Sequence, residues 1–258
     1  MSEMISFGAG VNSVAMTILL VNEGWRGHIV FADPGAEHPD TYCYLTYFER
    51  EWLTPRGLSL TRLSPEATPD LYPPSYRLDI ISKCRTKRIV PIMMNRWCTT
   101  EYKRKPLTKW AKQNGIVLQY IGIAADEAHR ARRSEFEGIE LEYPLVDRGI
   151  GRDGCKQIIR EAGLSVPPKS GCWICPFQRL SEWRELYDLR PDLFQVALEL
   201  DNAAMDAMRE KRLNPFEGQL TQKFHKPLAA IAEMWERQID LPGMPDPEYE
   251  YQMCECRL

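Results

Sequence analysis

The sequence predicts an α/β protein whose first half forms a parallel sheet and whose C-terminal region is helical. Short apolar runs alternate with helix-like segments in the first half, which is typical of βαβ units. The stretch from about 191 to 237 instead repeats apolar residues at helical spacing, after a Cys-x-x-Cys loop. We expect residues 1–165 to form the α/β domain and residues 166–258 to hold the loop, the helices and a cysteine-containing tail.

The composition is that of a globular protein with its own hydrophobic core. The 258 residues are 44% hydrophobic and 27% charged, with a formal net charge of −3. The sequence has no apolar run of about 18 residues, so we expect no membrane-spanning helix. The first residues lack the basic and apolar regions of a signal peptide, which predicts a cytoplasmic protein.

The first forty residues predict a strand, a glycine turn, a helix and a second strand. Apolar strands at 4–7 and 28–31 flank a helix-like segment at 14–22. Residues 8–13 form a turn whose glycines let backbone N–H groups and a helix dipole approach an anion. A βα turn with no ligand uses the same residue types, so both interpretations stand. The turn is neither a Walker loop nor a dinucleotide fingerprint, because the spacing of its residues differs.

Residues 6–13, SFGAGVNS, resemble the pyrophosphate-binding loop of the adenine nucleotide alpha-hydrolase (PP-loop) superfamily. The form is that of its phosphoadenosine phosphosulfate (PAPS) reductase-like, iron–sulfur branch. Residues 31–42, FADPGAEHPDTY, resemble that branch's second-strand motif, with Pro34 in place of the usual threonine. Asn12 stands where the superfamily has an aspartate, so a carboxylate that could organise Mg²⁺ is absent there. The resemblance implies contacts to ATP or another adenine nucleotide from Ser6, Gly8, Gly10, Asn12, Ser13, Asp33, Glu127 and Arg130.

Residues 83–109 are strongly basic, with nine lysines and arginines and one acid, Glu101. This segregation predicts a site for a polyanion, such as nucleotide phosphates or a nucleic-acid backbone. A solvated helical face is the alternative. Within the segment, residues 96–107 resemble a Cys-Thr-x-Glu-Tyr-Lys motif of the same branch, which implies a catalytic role for Lys103 near the nucleotide.

The eight cysteines include a Cys-x-x-Cys-Pro motif at 172–176. This spacing lets two thiolates bind one metal centre. Cys98 and Cys155 are the best further ligands beside Cys172 and Cys175, because both lie in segments that resemble branch motifs. A thioredoxin-like dithiol, a zinc site and an iron–sulfur cluster compete, and spacing does not separate zinc from iron. The resemblance favours a [4Fe-4S] cluster, which four cysteines would saturate and three would leave with an open iron.

Two further segments carry polar residues of interest. Residues 122–130 follow an apolar strand at 116–121 and resemble the branch's Gly-Ile-x-x-Asp-Glu-x-x-Arg stretch, which implies a pocket lined by Asp126, with a catalytic role, and by its neighbours. A solvated loop is the alternative. The tail ends in Glu-Cys-Arg-Leu and resembles the C-terminal motif of PAPS reductases, with the glycine replaced and the histidine absent, so Cys256 is a candidate nucleophile. A frayed tail with incidental cysteines is the alternative.

The resemblance covers roughly residues 5–190 and implies a parallel sheet with helices on both faces and the nucleotide at the strands' C-terminal edge. It implies ATP-dependent thiolation of a nucleic-acid base or, alternatively, reduction of a sulfonucleotide with release of sulfite. A non-catalytic nucleotide or nucleic-acid binding module with a structural metal is the third hypothesis. The expected partners are an adenine nucleotide, tRNA or DNA at residues 83–109, and a sulfur or electron donor protein, with the oligomeric state left open.

Overall fold

The computed structural model describes residues 2–131, 138–213 and 218–237. These residues divide into two compact units. The first holds the described residues of Met1–Arg77 and Glu101–Gly171, and the second holds those of Leu78–Thr100 and Cys172–Gln252. The second unit therefore combines a segment from the middle of the chain with the C-terminal region, a grouping that the sequence patterns do not indicate.

The first unit is built on a five-stranded parallel sheet of order β3-β2-β1-β4-β5. The strands are β1 Ser2–Ser6, β2 His28–Ala32, β3 Leu60–Leu63, β4 Ile116–Ile121 and β5 Glu140–Glu142. Ser6 is in register with Val30 of β2 and with Ile121 of β4. The predicted parallel sheet is confirmed, and the loops after β1, β2 and β4 leave the sheet at one edge, where parallel α/β sheets bind ligands.

The described helices alternate with the strands and then dominate the C-terminal region. They are α1 Val11–Asn22, α2 Pro39–Phe48, α3 Ile80–Lys87, α4 Lys105–Gln113, α5 Pro144–Asp147, α6 Arg152–Glu161, α7 Leu180–Leu189, α8 Pro191–Glu210 and α9 Leu228–Glu236. Short π-helical segments span Glu49–Leu53 and Thr99–Arg104, and a 3-10 segment spans Ala125–Arg130. Among the described residues, no helix combines the length and the apolar character needed to cross a membrane.

Both faces of the sheet are covered. Met4 and Ile5 are adjacent in β1 and both fully buried, and so are Ile29 and Val30 in β2. Because successive side chains of a strand point to opposite faces, this pattern requires packing on each side. Helix α1 packs against α6, and α4 packs against β2 and β4. The predicted layer arrangement is therefore confirmed.

Helix α1 begins three residues before the predicted segment 14–22. Gly10 has an extended backbone, with φ −96° and ψ 171°, and occupies the position that precedes the helix. Asn12 and Ser13 thus lie in the first helical turn rather than in the loop. The apolar pattern misses this turn because Asn12 and Ser13 are polar, although both are buried.

The second unit is helical. Helix α8 packs against α3, α7 and α9. Tyr187, Phe194 and Trp235 form an aromatic cluster with ring centroids 5.1 to 6.2 Å apart. Such ring pairs add stability beyond the burial of their area, so this cluster ties α7, α8 and α9 together.

Candidate functional site

The turn between β1 and α1 lies at the C-terminal edge of the sheet. The Phe7 N–H donates to the Val30 carbonyl over 2.8 Å, which continues the β1–β2 pairing into the turn. Ala9 has a φ of +57°, and the following Gly10 starts α1 with no side-chain cap. The first N–H groups of α1 therefore have no partner within the helix.

The charge at this helix end favours an anion. The first turn of α1 holds no acidic residue, so nothing on the helix itself opposes the positive end of its dipole. The Ser13 hydroxyl donates to the Gly10 carbonyl over 3.0 Å and fixes the turn. Uncapped N–H groups at a helix end are a common binding element for phosphate.

Glycine is required where β4 meets this turn. A Cβ on Gly122 would lie 2.8 Å from Ser13 Cα and 2.9 Å from its backbone nitrogen. Real side chains do not tolerate such contacts, so Gly122 permits the loop after β4 to touch the first turn of α1. The motif at 122–130 includes Gly122, but the motif alone does not indicate this close contact with α1.

Asn12 joins the turn to the loop after β4. Its Nδ2 donates to Glu127 Oε2 over 3.1 Å, and Arg130 donates to Glu127 Oε1 over 2.5 Å. Asn12 is 9% exposed, and its buried Oδ1 has no hydrogen-bond partner among the residues described. The structure thus brings together three of the predicted nucleotide contacts and places a carboxylate beside position 12. That carboxylate and the amide oxygen are ligand types that Mg²⁺ prefers.

Asp33 follows β2 and is held by its own loop. Its Oδ1 accepts from the Tyr42 hydroxyl over 2.6 Å and from the Gly35 N–H over 2.8 Å. Burial, and then the hydrogen bond to Asp33, raise the pKa of Tyr42 well above its usual range. Tyr42 therefore remains a protonated donor, a role that the sequence motif did not assign to it.

Lys103 is paired with a buried carboxylate. Glu37 is 2% exposed and its Oε1 accepts from Lys103 Nζ over 2.6 Å. Lys103 is itself only partly exposed and lies in the π-helical segment before α4. Removing one partner of such a pair leaves the other charge uncompensated, which is costly. Glu37 thus holds the Lys103 ammonium group in place. Glu37 lies in the motif at 31–42, but that motif does not indicate its contact with Lys103.

Asp126 has an observed structural contact. Its Oδ2 accepts the backbone N–H of Arg152 over 3.1 Å at the start of α6, where Gly151 provides no side-chain cap. A carboxylate at this position stabilises a helix N-terminus. The catalytic role predicted for Asp126 rests on the motif resemblance alone.

The predicted cysteine ligands occupy different surroundings. Cys155 belongs to the first unit, is fully buried on α6 and forms part of the hydrophobic core. Burial raises the pKa of its thiol to about 11. Cys98, Cys172 and Cys175 belong to the second unit and are partly exposed. The Cys175 N–H donates to the Cys172 carbonyl over 3.0 Å, so these two cysteines share a single turn.

The four predicted ligands are divided between the two units, with Cys155 in the first and Cys98, Cys172 and Cys175 in the second. Within the described ranges, no three histidine, cysteine, aspartate or glutamate side chains are grouped to hold a metal ion. The four-cysteine ligand set stays a prediction.

The basic segment 83–109 is divided between the two units. Several of its cations have acidic or carbonyl partners: Arg88 binds Glu210 through both nitrogens, Lys103 binds Glu37, Lys105 binds Glu101, and Lys109 donates to the Asp70 carbonyl. Arg85, Lys87 and Arg96 are exposed. The local charge offered to a polyanion is therefore smaller than the sequence count.

The candidate nucleophile Cys256 lies outside the described residues.

Comparison with known proteins gives distant similarities. No protein-family model matches the chain. It is 28% identical over 156 residues to the uncharacterized nin region protein ORF290 of Escherichia phage lambda. That match covers 51% of this chain and 51% of the phage protein, so it spans about half the length of this relative.

Three solved structures are similar to this chain at low identity. A PAPS reductase from Candida auris in a phosphate complex has a TM-score of 0.48 and 15% identity, over 66% of this chain and 81% of that chain. The U34-tRNA thiolase NcsA from Methanococcus maripaludis, with its [4Fe-4S] cluster, has a TM-score of 0.47 and 14% identity, over 90% of this chain and 80% of that chain. A predicted subunit of tRNA methyltransferase from Methanocaldococcus jannaschii has a TM-score of 0.36 and 12% identity, over 83% of this chain and 90% of that chain.

Proposed function

We propose that this chain is an adenine-nucleotide-dependent enzyme that uses ATP to replace an oxygen of a nucleic-acid base with sulfur. The observation that carries the proposal is the uncapped, acid-free start of α1 at the C-terminal edge of the sheet. This is a site for a polyphosphate, and the motif at 6–13 resembles a loop that binds pyrophosphate.

The proposed reaction has two steps. The oxygen of a base carbonyl attacks the α-phosphorus of ATP, the bond to the β-phosphate breaks, and pyrophosphate leaves. Sulfide then attacks the activated carbon, and AMP leaves with the original oxygen. If the donor is a persulfide, its terminal sulfur attacks in the same way, and a second thiol then breaks the S–S bond, so that the donor leaves as a disulfide. Each step is a substitution that needs no net oxidant, provided that the donor supplies sulfur as a nucleophile.

The described residues supply binding and charge balance for the first step. The N–H groups at the start of α1 bind the departing pyrophosphate, while Glu127 and Asn12 offer oxygens to a Mg²⁺ ion. Lys103, held by Glu37, supplies positive charge for the phosphates. Stabilising charge that develops on phosphate oxygens is the main demand of phosphoryl and nucleotidyl transfer.

The proposed acceptor is a nucleic acid, bound at the exposed cations of the basic segment. Arg85, Lys87 and Arg96 are the exposed candidates for phosphate contacts in the second unit. Binding of this kind weakens steeply as the salt concentration rises, because it releases counterions. A salt titration with labelled tRNA and with DNA of the same length distinguishes the two acceptors.

Product analysis tests the proposed reaction. The protein is incubated with ATP labelled at the α-phosphate, Mg²⁺, a sulfide donor and total tRNA, and the nucleotides are separated. We expect AMP and pyrophosphate only when the acceptor is present. Release of ADP, or formation of sulfite from PAPS with a thiol reductant and no AMP from ATP, would contradict the proposal, and the second result would favour the reductase alternative.

We propose in addition that the chain binds a metal centre, and its metal content is tested independently of the reaction. Cys98, Cys155, Cys172 and Cys175 are its candidate ligands. Anaerobic purification followed by iron, sulfide and zinc analysis decides between [4Fe-4S], zinc and no metal. We expect Cys172→Ser to lose the metal and Cys43→Ser, at an exposed cysteine, to retain it. Equal metal content in both variants would remove the Cys-x-x-Cys motif from the site.

A further inference from the structure

Ser170 lies directly over the glycine turn. A Cβ on Gly10 would lie 2.7 Å from Ser170 Oγ and 3.7 Å from Ser170 Cβ. The hydroxyl therefore occupies the space that a side chain at position 10 would need. Both residues belong to the first unit. The absence of a Cβ on Gly10 thus serves the approach of a second chain segment as well as the turn itself.

The segment that carries Ser170 is held in place by its neighbours. The carbonyl of Gly171 accepts the N–H of His38 over 3.0 Å, at the residue that precedes α2. Pro167 and Pro168 come before the segment and restrict its backbone. Ser170 itself is half-buried. A short hydroxyl on a restrained backbone is well suited to donate to a fixed ligand, because little side-chain entropy is lost.

We propose that Ser170 is a further binding residue for the nucleotide, donating its hydroxyl to a phosphate oxygen bound at the start of α1. The inference rests on the proposed function, since it needs a phosphate at this turn. The ligand chemistry is that of a pyrophosphate or of the polyphosphate of a nucleotide. The contact extends the site from the loops after β1, β2 and β4 to a fourth segment, after α6.

A second polar atom at the turn supports a ligand there. Asn12 is 9% exposed, and its buried Oδ1 has no hydrogen-bond partner in the part of the chain that the structure describes. Buried polar atoms are nearly always satisfied in native proteins, by protein groups, water or a ligand. A hydrated Mg²⁺ that accompanies the phosphate would satisfy this oxygen.

The test is the binding of inorganic pyrophosphate and of ATP with Mg²⁺, measured by calorimetry on the full chain. We expect Ser170→Ala to weaken both by roughly tenfold or more, the usual effect of losing one hydrogen bond to a charged group. Ser165→Ala is the matched control, because Ser165 is exposed in the same segment, and it should bind like the wild type. Gly10→Ala should also weaken binding, since the new methyl group displaces the Ser170 hydroxyl.

The outcomes separate the inference from the proposed function. If the wild type binds neither pyrophosphate nor ATP, the proposed function fails and the inference fails with it. If the wild type binds both and Ser170→Ala binds equally well, the inference alone is overturned. Thermal unfolding of each variant identifies a folding defect, and Ser170→Cys, which keeps a side chain of similar shape but a weak donor, then replaces Ser170→Ala in the same comparison.

Discussion

At position 12 the side chain is an amide, and its Nδ2 donates to Glu127 Oε2 over 3.1 Å. The motif resemblance implies that Asn12 removes from the turn the carboxylate that the superfamily has at this position. The structure places the Glu127 carboxylate, from the loop after β4, within hydrogen-bond distance of the Asn12 amide. The sequence could not predict this hydrogen bond, because Asn12 and Glu127 are 115 positions apart and neither residue type alone implies the other.

Replacing Asn12 by aspartate tests this pair. Asn12→Asp places two carboxylates in contact, so we expect a loss of about 1 kcal/mol or more in the free energy of unfolding at neutral pH. The double variant Asn12→Asp with Glu127→Gln restores an amide–carboxylate pair and should recover most of the loss. Chemical denaturation of all four proteins gives the coupling energy, and additive effects would show that the pair makes no contribution.

Cys155 is buried in the core, and its predicted role as a metal ligand stays a prediction. It occupies the inward face of α6, where the apolar stripe continues through Ile159. A cysteine in a helix looks the same in the sequence whether it packs in a core or binds a metal, and only burial separates the two cases. Here burial raises the pKa of the thiol to about 11.

This pKa predicts the alkaline behaviour of the protein. The folded-state pKa of Cys155 lies above the value of 9.0 for an unperturbed thiol. The folded state therefore keeps a proton that the unfolded chain loses, and stability falls as the pH rises from about 9 to about 11. We expect Cys155→Ala to show a shallower fall over this range than the wild type in denaturant titrations. Cys43→Ala, at an exposed cysteine, should follow the wild type, and identical slopes for all three proteins would contradict the assignment.

At the scale of elements, three of the five strands were predicted from the sequence, and β3 and β5 were not. The segment predicted at 116–121 is strand β4 as observed, because an apolar run between two glycines has sharp ends. Helix α1 was predicted three residues too short at its start, because the polar residues Asn12 and Ser13 interrupt the apolar pattern in its first turn. The helix next to the candidate site therefore begins earlier than its apolar pattern predicts.

Asp201 is an element-scale feature that the sequence pattern conceals. It is fully buried in α8, and it accepts the backbone N–H groups of Gln219 and Leu220 through Oδ1 and that of Leu228 through Oδ2. An acidic residue within an amphipathic helix normally indicates the solvent face. Here it joins α8 to the start of α9.

Removing this carboxylate should destabilise the second unit. Asp201→Ala leaves three buried N–H groups without their acceptor, so we expect a loss of about 2–4 kcal/mol in the free energy of unfolding. Asp206→Ala on the same helix removes an exposed ion pair with Arg209 and should cost no more than about 1 kcal/mol. Urea titration followed by far-UV circular dichroism measures both, and a small effect of Asp201→Ala would show that water replaces the carboxylate.

At the scale of the whole molecule, the sequence predicted a parallel sheet with helices on both faces, because βαβ topology is a local pattern. It did not predict how the charges are distributed. The partners of Arg88 and Lys103 are Glu210 and Glu37, both far away in the chain. A count of basic residues over a segment cannot include such partners, and so it overstates the positive charge available to a nucleic acid.

The central claim is that the turn between β1 and α1 binds the pyrophosphate part of an adenine nucleotide. The most direct test is the affinity of the wild-type protein for ATP compared with its affinity for AMP, both with Mg²⁺ and at fixed ionic strength. Because AMP lacks the two phosphates that the helix N-terminus binds, we expect ATP to bind at least ~100-fold more tightly, about 2.7 kcal/mol. Equal affinities, or binding of neither nucleotide, would contradict the claim.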